Sequence, residues 1–161
     1  MSKTQKDKKD DIVAEMAEVC SVRVGDHIYG IPIRHVVEIV GAALPQRVPL
    51  APGFVGGLIH YRGDVLTTIS IRRLLNMSDH DGAQDVLVLE SAGCTFGVLV
   101  DGVIEVMTVS SADYEATPCT LEESRRTLFA GAYKLRDGLI VMLLPEQLDP
   151  MRLPRAAGAL A

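Results

Sequence analysis

From Val19 onward the chain is a succession of short apolar alternations, each closed by Gly, Pro or Asp. The segments Val22 to Val24, Ile28 to Ile33, Val36 to Val40, Val65 to Ile71, Val86 to Leu89, Phe96 to Val100, Val103 to Val109 and Leu139 to Leu144 are short and rich in Val and Ile, which predicts strands. Gly25-Asp26, Arg62-Gly63-Asp64, Ala92-Gly93 and Asp137-Gly138 supply turn chemistry between them. No long helical pattern separates the strands as a βαβ sheet would require, so one or two small barrels are expected. Helix signals are few. Ser70 can cap a short helix running to Leu75, and Thr120 with Glu123 forms a capping-box pattern ahead of Arg125 and Leu128.

The chain also resembles itself. Tyr29-Gly30-Ile31-Pro32-Ile33-Arg34-His35-Val36-Val37-Glu38-Ile39 is echoed by Phe96-Gly97-Val98-Leu99-Val100-Asp101-Gly102-Val103-Ile104-Glu105-Val106. Phe54-x-Gly56 followed by Gly63 matches Phe129-x-Gly131 followed by Gly138. A duplicated unit follows, with halves of about 20–80 and 81–148 that each form a barrel, inside a domain of 18–150 flanked by tails 1–17 and 151–161. A half of that size buries too little surface to stand comfortably alone, so the halves should pack together.

Composition sharpens this picture. Hydrophobic residues make up 48% of the chain and charged residues 23%, which excludes wholesale disorder. Aromatics are only 4%, with no Trp, so the cores must be filled by Val, Ile and Leu. A net charge of −5 and scarce rings argue against nucleic acid as a partner. Lys3, Lys6, Lys8 and Lys9 are interleaved with Asp7, Asp10 and Asp11 and read as a solvated tail. The stretch after Val13 carries Glu15 and Glu18, unlike a secretory signal, and no apolar run approaches the roughly 20 residues of a membrane span. A soluble, cytoplasmic protein without membrane insertion is the expectation. Cys20, Cys94 and Cys119 are too widely spaced for a CxxC pair and read as small hydrophobes.

Catalytic signatures are missing: there is no GxSxG, Walker A, HExxH or GxGxxG pattern. His35 and Glu38 would fall on opposite faces of a strand, which is unsuitable for a metal. His60 beside Tyr61 and Arg62 has no adjacent nucleophile and reads as a surface residue. Ser78-Asp79-His80-Asp81-Gly82 reads as a polar turn. The apolar but Pro- and Gly-broken run Val48 to Ile59 reads in part as a buried crossover inside the first barrel.

Tyr29 to Ile33 with Val36 to Ile39, Phe54-Val55-Gly56-Gly57-Leu58-Ile59-His60-Tyr61-Arg62-Gly63 with Val65-Leu66, Val98 to Val103, and Leu135 to Ile140 together resemble the CheW-like adaptor family of bacterial chemosensory arrays. The resemblance implies a mostly β fold of two SH3-like five-stranded barrels. It further implies a non-catalytic coupler, without cofactor or metal, that binds the cytoplasmic tip of a chemoreceptor and the regulatory domain of a CheA-type histidine kinase at arrays on the inner face of the membrane. Self-association in rings belongs to the same expectation. The implied receptor site is a groove between the barrels involving Val36, Glu38, Ile39, Gly57, Leu58, Arg62, Val98 and Val100. The implied kinase contacts are Asp64, Val65 and Thr67.

Several positions depart from the family pattern. Thr67 and Ser70 stand where Pro and Asp are usual, His60-Tyr61 replaces Asn-Leu, and Leu144 stands where an Asp is common. These changes bear on partner choice and are compatible with an accessory array controlling pili or gene expression. A small-molecule sensor is the rival reading from another class.

Overall fold

Residues 15–117 and 127–154 are described by a computed structural model. In chain order they form β1 (Met16–Val24), β2 (His27–Pro32), β3 (Val36–Ala43), β4 (Val55–Tyr61), β5 (Asp64–Ser70), the short helix α1 (Ile71–Leu74), β6 (Gln84–Ser91), β7 (Cys94–Val100), β8 (Gly102–Ser110), β9 (Tyr114–Glu115), β10 (Phe129–Leu135), β11 (Gly138–Leu143) and the short helix α2 (Pro145–Leu148). The capping box at Thr120 and Glu123, and Cys119, lie outside the described residues.

The expected hairpins form. Arg62 and Gly63 both take positive φ (49° and 82°) between the paired residues Tyr61 and Asp64, and Ala92 and Gly93 do the same (51° and 78°) between Ser91 and Cys94. Two residues with φ > 0 match the right-handed twist of the strands they join. Ser70 caps α1 as expected, its Oγ accepting from the Arg73 N–H at 3.3 Å. β4 and β10 carry the weakest strand patterns, because a bulge at Val55/Gly57 and another at Phe129/Ala132 interrupt their alternation.

The strands do not sort by halves. One sheet has the order β8-β1-β2-β11-β10-β9 and the other β3-β6-β7-β5-β4. Each barrel therefore takes strands from both halves, which corrects the expectation of one barrel from 20–80 and another from 81–148. The cause is local. Only Asp101 separates β7 from β8, too little chain for a hairpin, and a 3-10 turn at Ile33–His35 separates β2 from β3. At each point the chain crosses from one sheet to the other.

The duplication nonetheless survives in the pairings. β5 runs parallel to β7 with Thr68 opposite Gly97, and β11 runs parallel to β2 with Met142 opposite Gly30. The Ser70 N–H donates to the Phe54 carbonyl at 2.9 Å, and the Leu144 N–H to the Leu128 carbonyl at 2.9 Å. Phe54 thus corresponds to Leu128, not to Phe129, and Gly57 to Gly131. Both glycines have positive φ (131° and 95°), and a Cβ on either would lie 2.6 Å from a backbone oxygen, of Gln46 and of Glu115 respectively.

Among the described residues three apolar clusters hold the fold. Ile59, Leu66, Val86, Val88 and Leu99 fill one barrel, and Val19, Val109, Ile140 and Met142 fill the other. Between the sheets lies the largest, with Val22, Val24 and Ile31 from one side and Ile69, Leu87, Leu89, Phe96, Val98 and Val100 from the other. Alternate residues of β6 face a barrel interior and the shared core, so the whole run Val86 to Leu89 is buried.

Candidate partner-binding surface

β3 and β4 are the two ends of the five-stranded order, so the barrel closes only where they meet. Gln46, just past β3, exchanges two backbone hydrogen bonds with Leu58 of β4, each 2.8 Å. Gly57 makes this approach possible: any side chain there would strike the Gln46 carbonyl. The Thr68 hydroxyl locks the same bulge by donating to the Gly57 carbonyl at 2.9 Å.

Farther along the seam, Arg62 Nη2 lies 3.0 Å from Glu38 Oε2. The left-handed turn at Arg62 brings its guanidinium over the Tyr61 ring, 5.3 Å from the centroid, while leaving 71% of the side chain exposed. The Tyr61 hydroxyl lies beside Glu38, and that carboxylate, with burial second, holds the phenol above its ordinary range. An ion pair this exposed contributes about 0–1 kcal/mol to stability, so its use is orientation and charge.

Along β3, Val37 and Ile39 are exposed, whereas Val36, Glu38 and Val40 are half-buried on the other side. Across the barrel, Val65 is 56% exposed, Asp64 and His60 are exposed, and Thr67 is half-buried. Leu58 is half-buried at the seam, and Gly57 is buried there, shaping the surface without forming it. Val98 and Val100 are not on it at all. β7 is an inner strand covered on both faces, and both valines have no exposure and belong to the core between the sheets. Likewise the run from Val48 is not wholly buried: Val48 and Leu50 are exposed, and burial begins at Phe54.

Sequence reasoning passed over Val37 and the buried Thr68. It also passed over a second surface with the same make-up. By the pairings above, Val37, Glu38 and Ile39 correspond to Ile104, Glu105 and Val106, and Arg62 and Val65 correspond to Arg136 and Leu139. Ile104, Val106 and Leu139 are exposed, as are Glu105 and Arg136, although no ion pair joins those two among the described residues. The internal repeat carried this signal. Among the described residues no three His, Cys, Asp or Glu side chains gather as a metal site, and no helix is long and apolar enough to cross a membrane.

The comparisons with known proteins agree with this architecture. A family model described as the CheW-like domain matches residues 18–149. The chemotaxis protein CheW of Helicobacter pylori is 28% identical over 136 residues, covering 83% of this chain and 82% of that protein. CheW of Rhizobium meliloti is 28% identical over 142 residues, covering 87% and 92%. Protein FrzA of Myxococcus xanthus is 31% identical over 98 residues, covering 60% and 61%. The crystal structure of the scaffolding protein TtCheW from Thermoanaerobacter tengcongensis has the same fold, with a TM-score of 0.74 at 21% identity over 83% of this chain and 92% of that one. A mostly β chain that crosses between two sheets and matches the domain model over residues 18–149 belongs to the CheW-like family.

Proposed function

We propose that the chain is a non-catalytic scaffold that couples chemoreceptors to a CheA-type histidine kinase at arrays on the inner face of the membrane. The observation that carries this reading is the Glu38–Arg62 seam, an exposed charge pair flanked by the unburied apolar side chains Val37, Ile39 and Val65. Apolar groups beside a few fixed charges suit recognition of another protein, with the charges setting register. Receptor contact is assigned to Val36, Glu38, Ile39, Leu58 and Arg62, with Gly57 shaping that surface, while Val98 and Val100 belong to the core between the sheets. Kinase contact is assigned to the β4–β5 end, through Asp64, Val65 and Thr67.

The second surface, around Ile104, Val106 and Leu139, gives the molecule two similar ends. Two ends suit a link that alternates with a homologous kinase domain or with further copies of itself in a ring, where modest contacts gain strength from number. Of the departures from the family pattern, Ser70 is a buried helix cap and Leu144 fills the corresponding cap position without a side-chain hydrogen bond. Partner choice is then left to Thr67 and to His60-Tyr61, which border the seam.

Co-sedimentation with receptor-bearing membranes and a CheA-type kinase tests the proposal. Kinase that pellets only when this chain is present supports coupling. Kinase that pellets equally without it overturns the reading.

A further inference from the structure

The last two residues of β4 border the seam in different ways. His60, paired with Val65, is exposed, whereas Tyr61, paired with Asp64, is half-buried and packs against the cluster of Ile59, Leu66, Val86, Val88 and Leu99 that fills this barrel. A side chain rooted in a packed core keeps one position. Both charges of the seam lie against this fixed ring. The guanidinium carbon of Arg62 stands 5.3 Å from the ring centroid, where the negative face of the ring attracts a cation. The hydroxyl at the far end of the same ring lies beside Glu38.

The Tyr61 hydroxyl oxygen and Glu38 Oε2 are both out of contact with water. A carboxylate oxygen so covered depends on the donors around it, which here are Arg62 Nη2 at 3.0 Å and the Tyr61 O–H. An exposed ion pair between long side chains ordinarily loses much of its attraction to the entropy of holding both chains still. A rigid ring beneath the base and a hydroxyl beside the acid remove part of that cost before any partner arrives. Arg62 still leaves 71% of its side chain exposed, so the pair that Tyr61 arranges is open to a second protein.

We infer that Tyr61 is a positioning residue for receptor recognition: its ring face carries Arg62 and its hydroxyl steadies Glu38, so that base and acid meet the receptor as one preformed doublet. The role rests on the coupling reading above and deepens it. Tyr61 acts through the two charges and needs no contact of its own with the receptor. Leucine could fill the same gap in the barrel, but it could hold neither charge.

The test compares Tyr61→Phe, which keeps the ring and drops the hydroxyl, with Tyr61→Leu, which drops both. Three quantities are measured on the full chain: the urea midpoint, the ultraviolet titration of the phenol, and co-sedimentation with receptor-bearing membranes and a CheA-type kinase. Tyr61→Phe should keep the wild-type urea midpoint yet recruit kinase about two- to tenfold more weakly, and Tyr61→Leu more weakly still. The part of the phenol titration that Tyr61→Phe removes should lie above the ordinary tyrosine range and move down in Glu38→Gln, a shift that ring packing alone would not produce. Tyr61→Phe that recruits as well as a coupling wild type overturns the positioning role and leaves the coupling reading standing. A Tyr61 titration unmoved by Glu38→Gln overturns the role as well. Wild type that recruits no kinase overturns the coupling reading, and this role falls with it whatever the titration shows. If Tyr61→Leu does not fold, Tyr61→Phe and the titration decide alone.

Discussion

Arg72 holds Asp101 with two hydrogen bonds, Nε to Oδ1 and Nη2 to Oδ2, each 2.7 Å. The same carboxylate accepts the Gly25 N–H at 2.7 Å and lies 3.9 Å from Arg23 Nη1. Asp101 is the single residue at which the chain crosses from β7 to β8, Gly25 belongs to the β1–β2 turn, and Arg72 belongs to α1. One side chain with no exposure thus ties the crossing to both barrels. At the other crossing Glu146 stands in the place of Arg72, and its contact is longer, 3.8 Å from His35 Nε2.

The two junctions should differ in cost. Asp101→Asn leaves the Arg72 guanidinium covered and short of a countercharge, and breaking a buried pair costs about 3 kcal/mol or more. Glu146→Gln removes a half-exposed, distant partner and should stay within about 1 kcal/mol of wild type. Urea denaturation of both variants measures this, and equal losses would contradict the assignment of Asp101 as the principal tie.

Acid should find the same junction. Burial alone would raise the Asp101 carboxyl, but the Arg72 hydrogen bonds and the Gly25 N–H outweigh it and leave the group below the usual carboxylate range. The hydrogen bond from Arg73 lowers Asp79 as well. A folded-state pKa below the unfolded one means stability that is complete above the unfolded value, about 3.9 for Asp, and is lost as pH falls through the folded value. The stability gap between wild type and Asp101→Asn should therefore be constant near neutrality and close below about pH 4. A pH series of urea curves reads it out, and a gap that widens on acidification would reverse the sign.

Barrel closure depends on an absent side chain. Gly57→Ala places a Cβ 2.6 Å from the Gln46 carbonyl at φ 131°, and the obstacle is backbone that cannot swing aside. Strain and overpacking together should cost about 3 kcal/mol or more. Gly63→Ala also has a positive φ, 82°, but meets nothing within 4 Å, so about 1 kcal/mol is expected. The difference between the two isolates the seam contact from the dihedral penalty.

Charge at the seam should matter to partners more than to folding. Arg62→Glu sets two acids side by side at an exposed position and should change stability by no more than about 1 kcal/mol. Receptor recruitment in the pelleting assay should nonetheless fall several-fold. If Arg62 serves through its pairing, the exchanged pair Glu38→Arg with Arg62→Glu regains part of that loss; if the partner reads Arg62 itself, it does not.

How far the sequence foretold all this depends on the range over which each signal acts. Hairpin turns at Arg62-Gly63 and Ala92-Gly93, and the cap at Ser70, are local and were legible, because backbone dihedrals answer to adjacent residues. β4 and β10 were hidden by the bulges that make them useful. The two Phe residues drew Phe54 toward Phe129, one position away from the correspondence with Leu128 that the backbone hydrogen bonds establish. Val98 and Val100 were placed in a groove by the family resemblance, although the unbroken apolar run Phe96 to Val100 is the pattern of a strand covered on both faces, which β7 is. Nothing near Asp101 in the sequence announces its partner, because Arg72 lies 29 positions away.

The aromatic-Gly repeat permits a last comparison, because its two glycines are crowded by different atoms. A Cβ on Gly30 would lie 2.6 Å from Met142 Sδ, near the far end of an unbranched side chain with several rotamers. A Cβ on Gly97 would lie 2.8 Å from Val86 Cγ1 and 3.1 Å from Thr68 Cγ2, both on stiff β-branched side chains. Thr68 is fixed further by its bond to the Gly57 carbonyl, so it cannot turn away without loosening the bulge. Gly97→Ala should then cost about 2–3 kcal/mol, against less than about 1 for Gly30→Ala, although both glycines occupy the same place in the repeat. Adding Val86→Ala to Gly97→Ala removes the nearer obstacle, and in a double-mutant cycle the pair should cost less than the sum of its parts. Additive losses would mean that Gly97 is required for some reason other than the room it leaves for Val86.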